Sequence, residues 1–253
     1  MQHLFSPEGE SALARVLRSG PLLAFDFDGT LTPIVARPGD AHLSSGVSAR
    51  LAALAARLPV AIVTGRSVDD VRARLGFEPR YIVGNHGAED ADSLAPAAES
   101  LAALARFRVR LVTVQPALES AGVTVEDKGH SMALHYRLSR TRERALQTIT
   151  DLLAVRDDAL RVFGGKLVVN IVPKLAPDKA DAVRRLVQRS GTSCAFFAGD
   201  DVNDEPVFAA AQPGWLTVRV GRDDPQSLAQ YFLDSPAETA LMLERMVSLV
   251  PGR

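Results

Sequence analysis

The chain has 253 residues, of which 47% are hydrophobic and 23% charged, and its 29 basic and 30 acidic side chains give a formal net charge of -1. This composition is typical of a globular protein with a sizeable core, built as one large domain or as one domain that carries a smaller insert. It excludes the basic field that binding to nucleic acid requires, so we expect no nucleic-acid partner.

The expected compartment follows from the cysteine count and from the targeting signals. The single cysteine, Cys194, excludes an internal disulfide and fits a reducing environment. The first residues include Glu8 and Glu10 and lack the continuous apolar stretch of a secretion signal. No segment approaches the roughly 18 apolar residues that a membrane-spanning helix needs. We therefore expect a cytoplasmic protein with no membrane partner.

Short apolar runs that end in Gly, Asp, Asn or Thr alternate with segments of helical periodicity along most of the chain. Continuous hydrophobicity is typical of strands that are buried on both faces of a parallel sheet. The order predicts an α/β fold, a Rossmann-like doubly wound parallel sheet with right-handed crossovers. The predicted strands are PLLAFDFDG, LPVAIVTGR, RYIVGNHG, CAFFAGDD and GWLTVRVG, and the predicted helices are Ser44–Arg57, Ser67–Leu75, Asp178–Ser190 and Asp204–Ala211.

The middle of the chain departs from this alternation. An Ala-rich helix at about 96–110 precedes two strand-like runs, GVTVEDKG and SMALHYRL, and a helix at Arg140–Val155 precedes two more, LRVFGG and KLVVNIVP. Hairpins combined with helices predict a smaller α+β domain inserted into the first. We place this insert at 107–174, so that 1–106 and 175–253 form the core domain.

Two aspartates follow the first apolar run, in DFDGT. Side chains two apart on a strand point to the same face, so Asp26 and Asp28 are expected to emerge together at the carboxyl edge of the sheet, where open α/β folds bind ligands. Asp28-Gly29 alone also fits an ordinary turn. That reading does not explain Asp26, because a buried charge needs a partner.

A second acidic group follows the fourth run, in GDDVNDE, which contains Asp200, Asp201, Asp204 and Glu205. If the two strands are neighbours, at least four carboxylates converge, and oxygen ligands of this kind favour Mg²⁺. An EF-hand calcium loop is excluded, since its sixth position must be glycine and would be Pro206 or Leu31 here.

Thr64 and Lys179 add the groups that a phosphate site needs. The Thr64 hydroxyl and the neighbouring amide are potential donors to a phosphoryl oxygen, although Thr-Gly at the end of a strand is often just a turn. Lys179, which opens a predicted helix, offers a positive charge for a dianion, although a single lysine is more often solvated.

Taken in order, the motifs DFDGT, TGR, Lys179 and GDDVND resemble the four motifs of the haloacid dehalogenase superfamily. The resemblance implies that Asp26 is a nucleophile that forms an aspartyl-phosphate and that Asp28 is the general acid and base. It also implies that Thr64 and Lys179 hold the phosphoryl oxygens. Mg²⁺ would be bound by Asp26, the Asp28 carbonyl and Asp200, with Asp204 as a ligand or as support for the ligands.

The segments GNHGAE, VEDKGHSMALHYR and GDDVNDE resemble the trehalose-6-phosphate phosphatases of this superfamily. The insert then corresponds to a type-two cap, and a sugar phosphate is the implied substrate, with a functional link to a trehalose-6-phosphate synthase. The implied substrate-binding residues are Gly65, Arg66, Asn85, His86, Glu126, Lys128, Arg137 and Asn170.

The strand NIVP departs from that family. Asn170 stands where the family usually has glutamate, Val172 where it has a basic residue, and Ala180 follows the lysine where glycine is common. An amide forms weaker hydrogen bonds with a hydroxyl than a carboxylate does. The sequence therefore leaves other sugar phosphates open as substrates (sucrose 6-phosphate, mannosyl-3-phosphoglycerate, glucosylglycerol phosphate), and also a sugar-phosphate sensor that lacks activity.

Overall fold

The computed structural model describes residues 1–92 and 98–250, with backbone alone for 98–100. It divides into two compact units. The first unit comprises Met1–Asp92 and Pro177–Arg253, and the second unit comprises Ser93–Ala176. Within the described ranges, no helix combines the length and the apolar character needed to cross a membrane.

The first unit is an α/β unit around one eight-stranded sheet. Its strands are β1 (Gln2–His3), β2 (Leu22–Phe25), β3 (Val60–Val63), β4 (Tyr81–Gly84), β5 (Glu89–Asp90), β10 (Ala195–Gly199), β11 (Leu216–Val220) and β12 (Tyr231–Leu233). Its helices are α1 (Pro7–Arg18), α2 (Ser45–Ala55), α3 (Val68–Leu75), α6 (Lys179–Ser190), α7 (Glu205–Ala209) and α8 (Pro236–Leu249).

The strand order is β1-β12-β11-β10-β2-β3-β4-β5, and every pair is parallel except β4 with β5. From β2 the chain proceeds to β3 on one side and returns later to β10 on the other. The carboxyl end of β2 is therefore the switch point of a doubly wound sheet, where ligands bind in such folds. The predicted fold class is confirmed.

The central strands carry apolar residues on both faces, so both faces are buried in the core. All residues of β2, β3 and β10 are buried, as the continuous apolar runs predict. The helices are placed by side-chain caps: Ser44, Ser67 and Asp178 accept hydrogen bonds from the first-turn amides of α2, α3 and α6. A capping box with Asp181 fixes the start of α6, and with it the position of Lys179.

The second unit is an α+β unit with a four-stranded antiparallel sheet in the order β6-β7-β9-β8. One face of the sheet packs on the helices through Met132, Leu134, Val169 and Ile171. The elements are α4 (Ala98–Ser120), β6 (Thr124–Asp127), β7 (Met132–His135), α5 (Arg142–Ala154), β8 (Leu160–Gly165) and β9 (Val168–Pro173).

The start of the second unit differs from the prediction. We predicted an insert that begins at residue 107, whereas the compact unit begins at Ser93. The reason is that α4 runs without a break from Ala98 to Ser120, so its first turns cannot belong to the core while its last turns belong to the insert. The helix is also longer than the predicted 96–110, and residues 96 and 97 of that prediction lie outside the described residues.

Candidate active site

The predicted site residues of the core lie at the carboxyl ends of three adjacent strands. Asp26 follows β2, Thr64 follows β3 and Asp200 follows β10, and β2 pairs with both of the others. The order of the strands therefore brings together loops that are far apart in sequence. This is the switch point of the sheet.

Carboxylate oxygens of Asp26, Asp200 and Asp204, which we call the acidic cluster, lie within 4.8 Å of one another, and all three residues are buried. The Lys179 ammonium lies 3.1 Å from Asp26 Oδ1 and 2.7 Å from Asp204 Oδ1, and its side chain is 1% exposed. Lys179 is therefore a buried ion-pair partner of this cluster and not a solvated lysine, the alternative that the sequence left open.

The electrostatics of the acidic cluster show an excess of negative charge. Burial raises the pKa of Asp26 well above its ordinary value; Lys179 opposes this rise, while Asp204, Asp200 and Asp28 add to it. Burial alone lowers the pKa of Lys179, but Asp204 and Asp26 outweigh that effect and raise it. One ammonium thus does not balance three buried carboxylates, and a further cation here lowers the free energy of the ionised cluster.

Asp204 accepts hydrogen bonds at both of its carboxylate oxygens. Its Oδ1 accepts the hydrogen bond from Lys179, and its Oδ2 accepts bonds from the backbone amides of Asp200 and Asp201, at 2.9 and 3.0 Å. Asp204 therefore holds the loop that carries Asp200. Of the two roles that the resemblance left open for Asp204, this bonding favours support of the ligands.

Two glycines permit the close approach of these loops. A Cβ on Gly29, which has a φ of +77°, would lie 1.9 Å from a carboxylate oxygen of Asp200. A Cβ on Gly199 would lie 2.3 Å from the carboxyl carbon of Asp204. Side chains at either position would displace the acidic cluster.

The donor set fits Mg²⁺. It consists of buried carboxylate oxygens, the hard ligands that this ion prefers, and it carries uncompensated negative charge. The oxygens of Asp204 already accept three hydrogen bonds, which favours Asp204 as support, and Asp26 and Asp200 are the carboxylate ligands that the resemblance implies. The ligation that the resemblance implies for the Asp28 carbonyl stays a prediction.

Asp28 has a partner of its own. Arg66 donates from Nε and Nη2 to the two carboxylate oxygens of Asp28, at 2.7 and 2.8 Å. Its Nη1 donates to Asp70 and its Nη2 also to the carbonyl of Pro38. Arg66 thus uses all three of its nitrogens on groups of this chain, and the structure gives it a positioning role toward Asp28. Its contact with substrate stays a prediction.

Thr64 and the turn Asn85–Gly87 form one hydrogen-bonded unit. The Thr64 carbonyl accepts from the amide of His86, and the Thr64 hydroxyl oxygen accepts from the amide of Arg66. Asn85 and His86 both have positive φ angles. The side-chain amide of the buried Asn85 donates from Nδ2 to a carboxylate oxygen of Glu89 at 2.6 Å. These bonds make Asn85 part of the support for the turn.

Gly65 fits against the imidazole of His86. A Cβ at this glycine would lie 2.4 Å from a ring carbon of His86. The positions of Thr64 and His86 are therefore coupled through a contact that no larger residue permits. The predicted substrate-binding roles of Gly65, Asn85 and His86 stay predictions.

In the second unit, the sheet face opposite the helices carries two of the predicted leaving-group residues, Glu126 and Asn170. Glu126 lies 2.8 Å from His135 and 3.6 Å from the Lys128 ammonium. Asn170 is buried on the same face, because it is the register partner of Ala133, which pairs with Glu126. Arg137 follows β7 and donates to the carbonyl of Lys166. The structure brings Glu126 and Lys128 together, and their roles toward a substrate stay predictions.

Sequence reasoning missed the partners that hold these groups. The Arg66–Asp28 pair joins the loops that follow two adjacent strands, and the Arg66–Asp70 and Asn85–Glu89 bonds each join residues four apart in sequence. One signal was available: Asp70 follows Arg66 by four residues at the start of a predicted helix, a spacing at which opposite charges meet.

Comparisons with known proteins give the family that this chain resembles. A family model described as trehalose-phosphatase matches residues 24–237. The chain is 36% identical over 248 residues to a trehalose-phosphate phosphatase of Mycobacterium avium, covering 89% of this chain and 62% of that protein. It is 32% identical to the protein of the same description from Mycobacterium ulcerans, over 90% of this chain and 62% of the relative. The chain thus spans less than two thirds of these relatives.

A solved structure supports the fold. The C-terminal domain of trehalose-6-phosphate phosphatase from C. albicans superimposes with a TM-score of 0.80 at 21% identity, covering 95% of this chain and 97% of that one. At 21% identity this similarity supports the architecture alone, which is an α/β unit with an inserted α+β unit.

Proposed function

The chain belongs to the trehalose-phosphatase family, and we propose that it is a Mg²⁺-dependent phosphatase that hydrolyses trehalose 6-phosphate to trehalose and phosphate. One observation carries the proposal. The carboxylate of Asp26 is buried at the switch point of the sheet, paired with Lys179 and surrounded by the other carboxylates of the acidic cluster. A nucleophile beside a fixed cation and a metal-binding carboxylate set is what phosphoryl transfer through an aspartate requires.

In the proposed reaction, a carboxylate oxygen of Asp26 attacks phosphorus as the bond to the sugar oxygen breaks, and Asp28 gives that oxygen a proton. Asp28 then takes a proton from water, whose oxygen attacks the phosphorus of the aspartyl-phosphate and releases phosphate and free Asp26. The pair with Arg66 holds the ionised form of Asp28, which takes the proton from water; in the first step Asp28 carries a proton on one oxygen, and that oxygen gives up its bond from Arg66. Thr64 and Lys179 hold the phosphoryl oxygens.

Bound Mg²⁺ would supply positive charge to the transferring phosphoryl group. We propose Asp26, Asp200 and the Asp28 carbonyl as its ligands, with Asp204 as support. A chelator should abolish phosphate release, and added Mg²⁺ should restore it. Full activity in the presence of excess chelator would contradict the metal dependence.

The leaving group is proposed to be recognised by Glu126, Lys128, Arg137 and Asn170 of the second unit, which acts as a type-two cap. Glu126 and Lys128 lie within 3.6 Å of each other, so a carboxylate and an ammonium are available together for sugar hydroxyls. The second candidate substrate is another glycosyl phosphate, and the neutral Asn170 and Val172 on this sheet favour it. Sucrose 6-phosphate, mannosyl-3-phosphoglycerate and glucosylglycerol phosphate are the compounds to compare.

Steady-state phosphate release across these compounds, with glucose 6-phosphate as the reference, tests the substrate. The proposal predicts the highest kcat/KM for trehalose 6-phosphate. A value no better than that for glucose 6-phosphate would reject trehalose 6-phosphate as the substrate. A higher value for another disaccharide or glycosyl phosphate would establish the second candidate.

The cellular setting is also a proposal. We place the reaction in the cytoplasm, because the sequence has one cysteine and needs no disulfide. The substrate then comes from a reaction that joins two glucose units and leaves a phosphate on one, which is the chemistry of a trehalose-6-phosphate synthase.

A further inference from the structure

A buried arginine lies beside the loop that carries Asp200 and Asp204. Arg219 is on β11, where its Cα is the register partner of Gly199, the residue before Asp200. The residue is 2% exposed. A guanidinium is rarely taken out of water unless carboxylates meet it, so its partners indicate its purpose.

Arg219 holds two segments that flank the acidic cluster. Its Nη1 donates to Glu205 and its Nη2 to Asp223, both at 3.0 Å. The other carboxylate oxygen of Glu205 accepts from the amide of Leu228 at 2.9 Å. Glu205 therefore ties the first turn of α7 both to β11 and to the loop that follows it.

Glu205 comes directly after Asp204, so this tie fixes the backbone at the acidic cluster. Asp204 accepts bonds from Lys179 and from the amides of Asp200 and Asp201. A shift of α7 would move the Asp204 carboxylate, and with it the ammonium and the loop. The Asp204 side chain already packs against Gly199, where even a Cβ would overlap it, so Asp204 has little space to shift toward that residue.

Packing alone does not explain a charged pair here. Replacing a buried ion pair by well-packed apolar side chains is often neutral or stabilising. The Nε of Arg219 is buried and has no hydrogen-bond partner among the residues that the structure describes. Burial of this pair therefore has a cost in desolvation free energy. Apolar side chains at the same positions would stabilise the fold without that cost.

We propose that Glu205 and Arg219 are positioning residues that hold the loop 200–204 in the geometry that binds Mg²⁺. They touch neither the substrate nor the ion, and they act through the backbone of Asp204. This proposal rests on the proposed function in taking Mg²⁺ as the ion of the acidic cluster. Residues that orient metal ligands typically change metal affinity about 10-fold to 100-fold when they are replaced.

The test is Mg²⁺ affinity, measured without substrate from the rise of Tm with Mg²⁺ concentration. Glu205→Gln keeps the shape and removes the charge that Arg219 contacts, and we expect its Kd for Mg²⁺ to rise about tenfold or more. Arg219→Lys keeps a charge but cannot reach both carboxylates, so a smaller rise is expected. Arg222→Gln is the matched control, since it breaks an exposed pair with Asp234 nearby and should leave the Kd unchanged.

A lower metal-free Tm with an unchanged Kd in Glu205→Gln would overturn the proposal and leave the pair a purely structural one. If the single variants fold poorly, the double variant Glu205→Gln, Arg219→Met removes both charges, and an unchanged Kd there would overturn the proposal equally. If the wild type itself shows no Mg²⁺-dependent rise in Tm, the proposed metal dependence fails as well, which the wild-type titration shows by itself.

Discussion

At the scale of single residues, Asp28 is held by a chain of charges that continues through Arg66 and Asp70 to Arg74 in the last turn of α3. Arg66 contacts Asp28 and Asp70, and Arg74 also donates to Asp70 and to the carbonyl of Gly39. A bidentate pair fixes the plane of a carboxylate as well as its position. The orientation of the proposed general acid therefore depends on Asp70, which acts on it through Arg66.

Asp70→Asn tests this chain of charges through stability. Burial raises the pKa of Asp70, but hydrogen bonds from Arg74 and Arg66 outweigh it and lower the pKa below 3.8. A carboxyl group whose pKa is lower in the folded state stabilises the fold above its unfolded pKa, and that contribution is lost as the pH falls through the folded value. We expect the variant to lose about 1 kcal/mol at neutral pH, a value reduced for partial exposure.

The measurement is the free energy of urea unfolding of wild type and variant at a series of pH values. The difference in unfolding free energy between wild type and variant should have its full value above about pH 5 and should shrink below about pH 4. Asp69→Asn is the control, because the Asp69 side chain is 98% exposed and lies 3.9 Å from Arg72. A difference that does not change with pH would show that the charge of Asp70 is not the source of the stability.

The sequence predicted which carboxylates would meet, but it did not predict their partners. Asp26, Asp200 and Lys179 were identified because each follows an apolar run or opens a helix at a known place in the fold. Arg219 lies inside the apolar run WLTVRV, where its charge suggests an exposed edge instead of a buried pair. Its partners become visible only when β11 is placed beside β10.

At the scale of elements, the loop after β2 depends on the absence of a side chain at Gly29. This residue has a φ of +77°, and a Cβ there would overlap the Asp200 carboxylate. The loops after β2 and β10 can approach each other only under this condition. The acidic cluster is thus a product of how two loops pack as well as of which residues they contain.

We expect Gly29→Ala to lower kcat/KM at least tenfold and to weaken Mg²⁺ binding, because the Asp200 carboxylate must move. Phosphate release and the Mg²⁺ titration by Tm are the measurements. Gly39→Ala provides the control, since no atom lies within 4 Å of its Cβ position and its φ is not positive. Equal activity of Gly29→Ala and wild type would contradict the close packing of the two loops.

The central elements were predicted and the peripheral ones were not. β2, β3 and β10 are continuous apolar runs, so their burial was evident. β1 and β5 have two residues each, too few for a periodic signal. α1 did carry a signal, with Ser6 as its N-cap and Ala12, Leu13, Val16 and Leu17 on its buried face.

At the scale of the whole molecule, the topology accounts for the site, and the second unit is the part that we propose selects the substrate. The doubly wound order was predictable because buried strands alternate with helices. The boundary of the second unit was not, since α4 continues through the predicted boundary at residue 107 with no break. Because α4 belongs wholly to the second unit, its helical periodicity does not change at residue 107.

Replacing Lys128 separates recognition of the leaving group from the chemistry. We expect Lys128→Met to lower kcat/KM for trehalose 6-phosphate about tenfold, the effect of one hydrogen bond from a charged donor, and to spare p-nitrophenyl phosphate. Arg156→Met removes an exposed charge from the same unit and is the control. Equal losses for both substrates would show that Lys128 does not recognise the sugar.

The most direct test of the central claim is to look for a phosphoryl group on Asp26. Enzyme mixed with trehalose 6-phosphate and Mg²⁺ is quenched in acid during the first turnover, and its peptides are analysed by mass spectrometry with Asp26→Asn in parallel. We predict phosphorylation of the peptide that contains Asp26 in the wild type, and neither phosphorylation nor turnover in the variant. Substantial turnover by Asp26→Asn, or a phosphoryl group on another residue, would contradict the account.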